Sequence, residues 1–151
     1  DDLVSVVVGE GKEVFRIYRG VLTYHSSHFA AALNGSFKES ETGVVALGEE
    51  DVEVFKAFYS WIYNRRLRDT PAPSHNDNSG EAEKMAVTAW EELLCKIFVF
   101  ADMRGVLALK NDAIDALHES ISCSWMSIEG NNVQYIYNNT VETSQLRRFA
   151  V

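Results

Sequence analysis

Two short apolar runs open the chain and almost nothing like them follows, which limits what it can fold into. Leu3 to Val8 is rich in β-branched residues and is closed by Gly9-Glu10-Gly11. Val14, Phe15, Arg16 and Ile17 then alternate apolar and charged. A short turn between two such runs predicts a β-hairpin. Both strands are apolar enough to expect substantial burial. Only Val44 to Leu47 reads as a further strand. A sheet this small cannot cover itself, so helices must pack on one side of it, and the predicted class is α+β.

The rest of the chain is helical in pattern. Val21 and Leu22 begin a short helix, and Ser26 is an N-cap for the next, His28 to Asn34, with Phe29 and Leu33 on one face. Asn34-Gly35 ends it. Glu49, Glu50 and Asp51 put negative charge at a helix start, where the backbone dipole favours it. Val52, Phe55, Tyr59 and Ile62 continue as an apolar stripe. Residues 66–86 lose this character: two prolines and the polar run Ser74 to Gly80 predict a disordered insert with little to bury. Thr88 to Glu91 has a capping-box pattern, and Trp90, Leu93, Leu94, Ile97, Phe98 and Ala101 follow at helical spacing. Arg104-Gly105 breaks that helix. Val106, Leu109, Ala113, Ile114, Leu117 and Ile121 mark another, and Gly130 to Tyr137 and Ser144 to Phe149 read as two shorter ones. The aromatic residues at helical spacing, from Phe55 to Phe100, read as core.

At 151 residues the chain is long enough for one domain with a real core and too short for two comfortable ones. A net charge of -8 argues against binding nucleic acid or an anionic membrane surface. No apolar run reaches the roughly 20 residues that span a bilayer. Nothing resembles a signal peptide. Cys95 and Cys123 read as reduced, packed thiols rather than a disulfide framework. These features predict a soluble intracellular protein, cytoplasmic or nuclear. The start at Asp1, without methionine, reads as a trimmed fragment.

No nucleophile elbow, phosphate-binding glycine loop, zinc-protease motif or paired Cys-x-x-Cys occurs, so no catalytic residue or cofactor is expected. Gly9-Glu10-Gly11 lacks the third glycine and following helix of a nucleotide loop. His25 and His28 have a spacing that can place two ligands on one helical face, but no further ligand is evident nearby and no metal is expected. Arg65, Arg66 and Arg68 form a small basic cluster that reads as a solvated loop end.

Several segments in order carry a family resemblance. They are Asp2 to Gly9, Phe15 to Leu22, Ser26 to Leu33, Phe37 to Ser40, and Val52 to Leu67 with its Trp61-Ile62-Tyr63. With the tail Tyr135 to Thr140 and then Ser144, Leu146, Arg147 and Arg148, they resemble the BTB/POZ family, most closely its fungal branch. The resemblance implies a BTB/POZ fold over residues 1–122, a small, mainly three-stranded sheet flanked by helices, with residues 123–151 a helical extension packed on it. It departs from the family at Tyr18, where a histidine is usual. It departs again after Tyr63, where a glycine is missing and Asn64 is expected to take the left-handed turn. The N-terminal extension that many dimeric members exchange is not in this sequence.

What the resemblance implies for function is a non-catalytic protein-interaction module. Some members are substrate adaptors for a cullin scaffold of ubiquitin ligases and present a hydrophobic-x-acidic motif after the second helix; Phe37-Lys38-Glu39 matches it. The alternative is that Phe37 packs under its own loop and Glu39 is merely solvated. Other members are homodimerisation domains of transcription regulators. There Asp2 and Arg19 match a charged pair, and Val21, Leu22 and Tyr24 would line the dimer groove. An ordinary surface pair is the alternative. A small enzyme with a cryptic site stands further off; it requires a deep pocket with convergent polar groups.

Overall fold

The computed structural model describes residues 2–68, 70–74, 78, 80–124 and 130–150. The hairpin pairs β1 (Leu3–Val8) with β2 (Glu13–Tyr18), antiparallel, in a register that sets Leu3 opposite Tyr18 and Val8 opposite Glu13. Gly9 turns the chain at φ 75°, and a Cβ there would fall 2.8 Å from Val52 Cγ2. After β2 run three short helices, α1 (Arg19–His25), α2 (Ser27–Asn34) and α3 (Lys38–Thr42). They carry the chain to the far edge of the sheet, where β3 (Val44–Leu47) pairs with β1 in parallel and gives the order β2-β1-β3.

Successive strand residues face opposite sides, so one register fixes both faces. Val4, Val6 and Val8, with Ile17, Val45 and Leu47, point inward and are buried. β1 is central and loses its inner face entirely to the core. β2 is an edge strand in which Ile17 alone is fully buried, which corrects the expectation of two buried strands. Its outward Val14 and Tyr18 join Leu3 and Val44 on an uncovered apolar face. Tyr18 therefore looks outward rather than into the domain.

α4 (Val52–Asn64) covers the inner face of the sheet. Asp51 caps it, accepting from the Glu53 amide at 2.8 Å. Phe55 and Phe58 stack edge-on 5.5 Å apart and both meet Phe100. Phe100 belongs to α5 (Glu81–Met103), which runs on into α6 (Leu107–Ser124). Trp61 donates its indole N–H to Asp112 at 2.7 Å and ties α4 to α6. Left-handed geometry after α4 falls on Arg65, φ 59°, not on Asn64. The break between α5 and α6 is Gly105, at φ 64°, where a Cβ would lie 1.9 Å from Ser27 Oγ.

α5 starts at Glu81, well before the Thr88 capping-box pattern, so residues 81–86 are helix rather than insert. Glu81 and Glu83 in the first turn suit the dipole, and the alanines, lysine and methionine that follow are good helix formers. At the other end of the expected insert, Leu67 packs against the core and the Arg68 guanidinium lies 5.1 Å over the Trp90 ring. Residues 69, 75–77 and 79 of that insert lie outside the described residues, as do 125–129 of the expected extension. α7 (Gly130–Asn139) and α8 (Gln145–Ala150) send Ile136 and Leu146, both fully buried, into the same core. Arg147 fastens the two together by donating to the carbonyls of Tyr137 and Thr140. Cys95 is buried and Cys123 exposed, so only one of the two free thiols is packed.

Leu22 is fully buried and Tyr24 is not, although both lie on α1. Leu22→Ala should lower unfolding stability by about 2–5 kcal/mol. Tyr24→Ala should stay within about 0.5 kcal/mol of wild type in a urea titration.

Candidate protein-interaction surfaces

The turn between α2 and α3 is built from below by Arg19. Its guanidinium donates to the Leu33 carbonyl at 2.7 Å, at the end of α2, and reaches the Ser40 carbonyl in α3 at 3.5 Å. Both ends of the turn are thus held by one side chain rooted at the start of α1. Phe37 sits at the N-cap of α3 with extended backbone and leans over Gly35, where a Cβ would come 3.2 Å from its ring. It remains 61% exposed, so it does not pack under its own loop. Glu39, in the first turn of α3, is partly buried.

Arg19 matches a dimer-groove position where it would pair with Asp2, the alternative being an ordinary surface pair or none. What joins these residues is a backbone bond instead, from the Arg19 amide to the Asp2 carbonyl at 2.8 Å. The guanidinium is turned inward because the open carbonyls at the ends of α2 and α3 lie within its reach, whereas Asp2 is exposed to water. Leu22 also leaves the groove, since it is core. Val21 is half-buried against that core, and Tyr24 is 81% exposed.

Beside Tyr24 is an open depression of about 550 Å³, lined among others by His25, Arg65, Leu107 and Asn111. The Arg65 guanidinium covers the Trp61 ring at 4.7 Å, and His25 meets the same ring edge-on. Leu107 opens α6 and is 67% exposed. The helical spacing picks out Val106 and Leu109 but not Leu107. A leucine directly after Val106 cannot share the buried stripe of the helix, and that offset was the signal for it.

A second cleft, of about 520 Å³, lies between the β3–α4 turn, the C-terminal half of α5 and α7. Arg104 closes one side. It pairs with Glu50 at 3.4 Å, both groups largely buried, and its other terminal nitrogen lies 3.0 Å from His28 Nε2. Lys96 bridges Asp51 at 3.8 Å and Glu92 at 3.1 Å. The Tyr135 hydroxyl is pushed up to about 12 by burial and by the negative charge of Glu50, Cys95 and Asp51. Burial and the carboxylates of Glu91 and Glu92 likewise push the Cys95 thiol up to about 12. Among the described residues, no group of three or more His, Cys, Asp or Glu side chains could hold a metal, and no helix is long and apolar enough to cross a membrane.

A model of the BTB/POZ domain matches residues 3–98, from β1 into the second half of α5. The chain belongs to the BTB/POZ family. No curated protein matches it. BTB/POZ domains are protein-interaction and oligomerisation modules, typically without chemistry of their own. The Phe37 turn and the α1 surface lie within the matched residues, while Leu107 and the α7 wall of the cleft lie beyond them. In this BTB/POZ chain His25 packs against the Tyr24 and Trp61 rings, and His28, exposed, meets the Phe29 ring edge-on and lies beside Arg104.

Both histidines are held below the ordinary value of 6.5, first by burial and then by the nearby cations Arg65 and Arg104 respectively. The unfolded chain therefore takes up these protons first as pH falls. Their stabilising contribution is complete above about pH 6.5 and is lost as pH drops toward the folded-state values. The Tm should fall between pH 7.5 and 5.5, and the double variant His25→Gln/His28→Gln should show a shallower fall. An equal or steeper fall would refute this origin.

Proposed function

We propose that this BTB/POZ chain is a non-catalytic adaptor that docks, through Phe37 and Glu39, onto a cullin-type scaffold of a ubiquitin ligase. The observation that carries this reading is the exposed Phe37 ring on a turn whose two ends are fixed by Arg19. A large apolar side chain in water is an unspent source of binding energy, and aromatic anchors of this kind dominate interface energetics. Glu39, two residues on, supplies the charge that sets register. The Arg19 clamp pre-orders the turn, so less entropy is lost on docking. The tail pattern Tyr135 to Arg148 supports membership in the fungal branch, and an adaptor of this kind works inside the cell, in cytoplasm or nucleus.

The test is light scattering behind a sizing column, with the chain mixed with a cullin N-terminal domain. Wild type should give a mixed peak, Glu39→Lys should abolish it, and Phe37→Ala should weaken binding by about 2 kcal/mol. A wild-type chain that gives no mixed peak sinks the adaptor reading.

The second reading is a homodimerisation domain of a transcription regulator. It is favoured by Tyr24 and Leu107, two exposed apolar side chains brought to one depression from α1 and α6. It predicts that the chain alone runs at twice its 17.0 kDa mass and that Tyr24→Asp/Leu107→Asp returns it to monomer. A wild-type monomer at high concentration removes it.

A further inference from the structure

The cleft beneath α7 is a groove with an apolar floor and an acidic rim, and nothing in the adaptor reading uses it. Its floor is Val54, Val99 and Phe100, all buried, with Val54 and Phe100 also part of the core cluster. Met103 stands at its edge, 63% exposed, on the face of α5 that looks toward α7. A flexible thioether left in water beside a packed apolar floor is suited to close over an incoming side chain.

The charge around this floor is unbalanced. Glu49, Glu50 and Asp51 follow one another along the β3–α4 turn, and Glu92 joins them through Lys96. Against these four carboxylates stand two cations, Lys96 and Arg104. Arg104 is engaged by Glu50, and Lys96 is shared by Asp51 and Glu92. Glu49 is exposed and has no ion pair among the described residues, so one carboxylate at the mouth remains for a cation from outside.

We propose that this groove binds a basic, apolar-anchored peptide segment of a partner protein, its apolar side chain on Met103 and Val99 and its lysine or arginine on Glu49. The β3–α4 wall of the groove and Lys96 lie within the residues matched to the family, while Met103, Arg104, Tyr135 and Asn139 lie beyond them, so the groove is completed only by the C-terminal helices. It is built from elements other than the Phe37 turn, so a partner held here leaves that turn free. An adaptor with both surfaces could bridge two proteins, but the groove stands without that reading.

The test is an amide NMR titration of the ¹⁵N-labelled chain with acetyl-Leu-Arg-Leu-Lys amide, and with acetyl-Leu-Glu-Leu-Glu amide as its charge-reversed counterpart. The basic peptide should bind in the millimolar range, with shifts concentrated in residues 46–54, 96–104 and 135–139, and the acidic one should bind at least tenfold more weakly. Glu49→Gln should weaken the basic peptide about fivefold, the scale of one exposed ion pair. Met103→Ser should weaken it about tenfold through lost apolar contact. Both residues are exposed, so both variants should keep the wild-type spectrum elsewhere. No shifts, shifts elsewhere, equal affinity for the two peptides, or undiminished binding by either variant overturns the proposal. None of these outcomes bears on binding through Phe37.

Discussion

Three strands can bury one face only if something else supplies the other half of the core, and here α4 supplies it. Val4, Val6 and Val8 are useless as an interior alone; they form one buried cluster with Phe55, Phe58 and Trp61, and the Phe15 ring of β2 meets Phe55 at 4.8 Å. Fully burying each such side chain is worth about 1.5–3 kcal/mol, so this layer outweighs any single polar contact in the molecule. Its ring contacts also fix direction. Phe100 meets both Phe55 and Phe58, so α5 must cross α4 where those two rings are. Every later element takes its place from that crossing.

The polar contacts then refine what the core has arranged. Ser26 caps α2 by accepting from the Phe29 amide and also donates to the Arg104 carbonyl at 2.5 Å, joining the α1–α2 turn to the end of α5. The Ser27 and His28 amides reach the Gly105 and Arg104 carbonyls across the same junction. Gly105 is required there by both its backbone angle and the closeness of Ser27. Arg19 plays a comparable part at the other end of α2, spending its guanidinium on carbonyls that the helix ends would otherwise leave open. In each case a short helix that could not persist alone is tied to another part of the chain by a side-chain-to-backbone bond.

The surfaces left over are the ones a binding protein can use. The Phe37 turn, the Tyr24 and Leu107 depression, the outer face of the sheet and the cleft at α7 are separate, and each exists because the core turned a different face of its elements inward. That separation suits a module whose family works by holding other chains.

The sequence by itself determined the strands, the Ser26 cap, the Asp51 helix start, the Gly105 break and the aromatic core, because each is set by local backbone preference or by the period of apolar residues. It also carried the family resemblance, and the Phe37-Lys38-Glu39 match within it. Only the tertiary structure decided which way side chains of mixed character turn. Arg19 is polar and could have paired with the Asp2 carboxylate, but its guanidinium donates to the carbonyls of Leu33 and Ser40, which only the folding of α2 and α3 brings to it. Leu22 and Tyr24 are equally plausible surface or core residues on a seven-residue helix until α1 is docked. Likewise β2 reads as buried until the order β2-β1-β3 makes it an edge. The cleft was invisible in the same way, since Glu49, Met103 and Tyr135 are far apart in the chain and meet only when α7 packs beside α5. Local pattern reports how a segment prefers to fold; which of its faces remains open depends on neighbours that arrive from elsewhere in the chain.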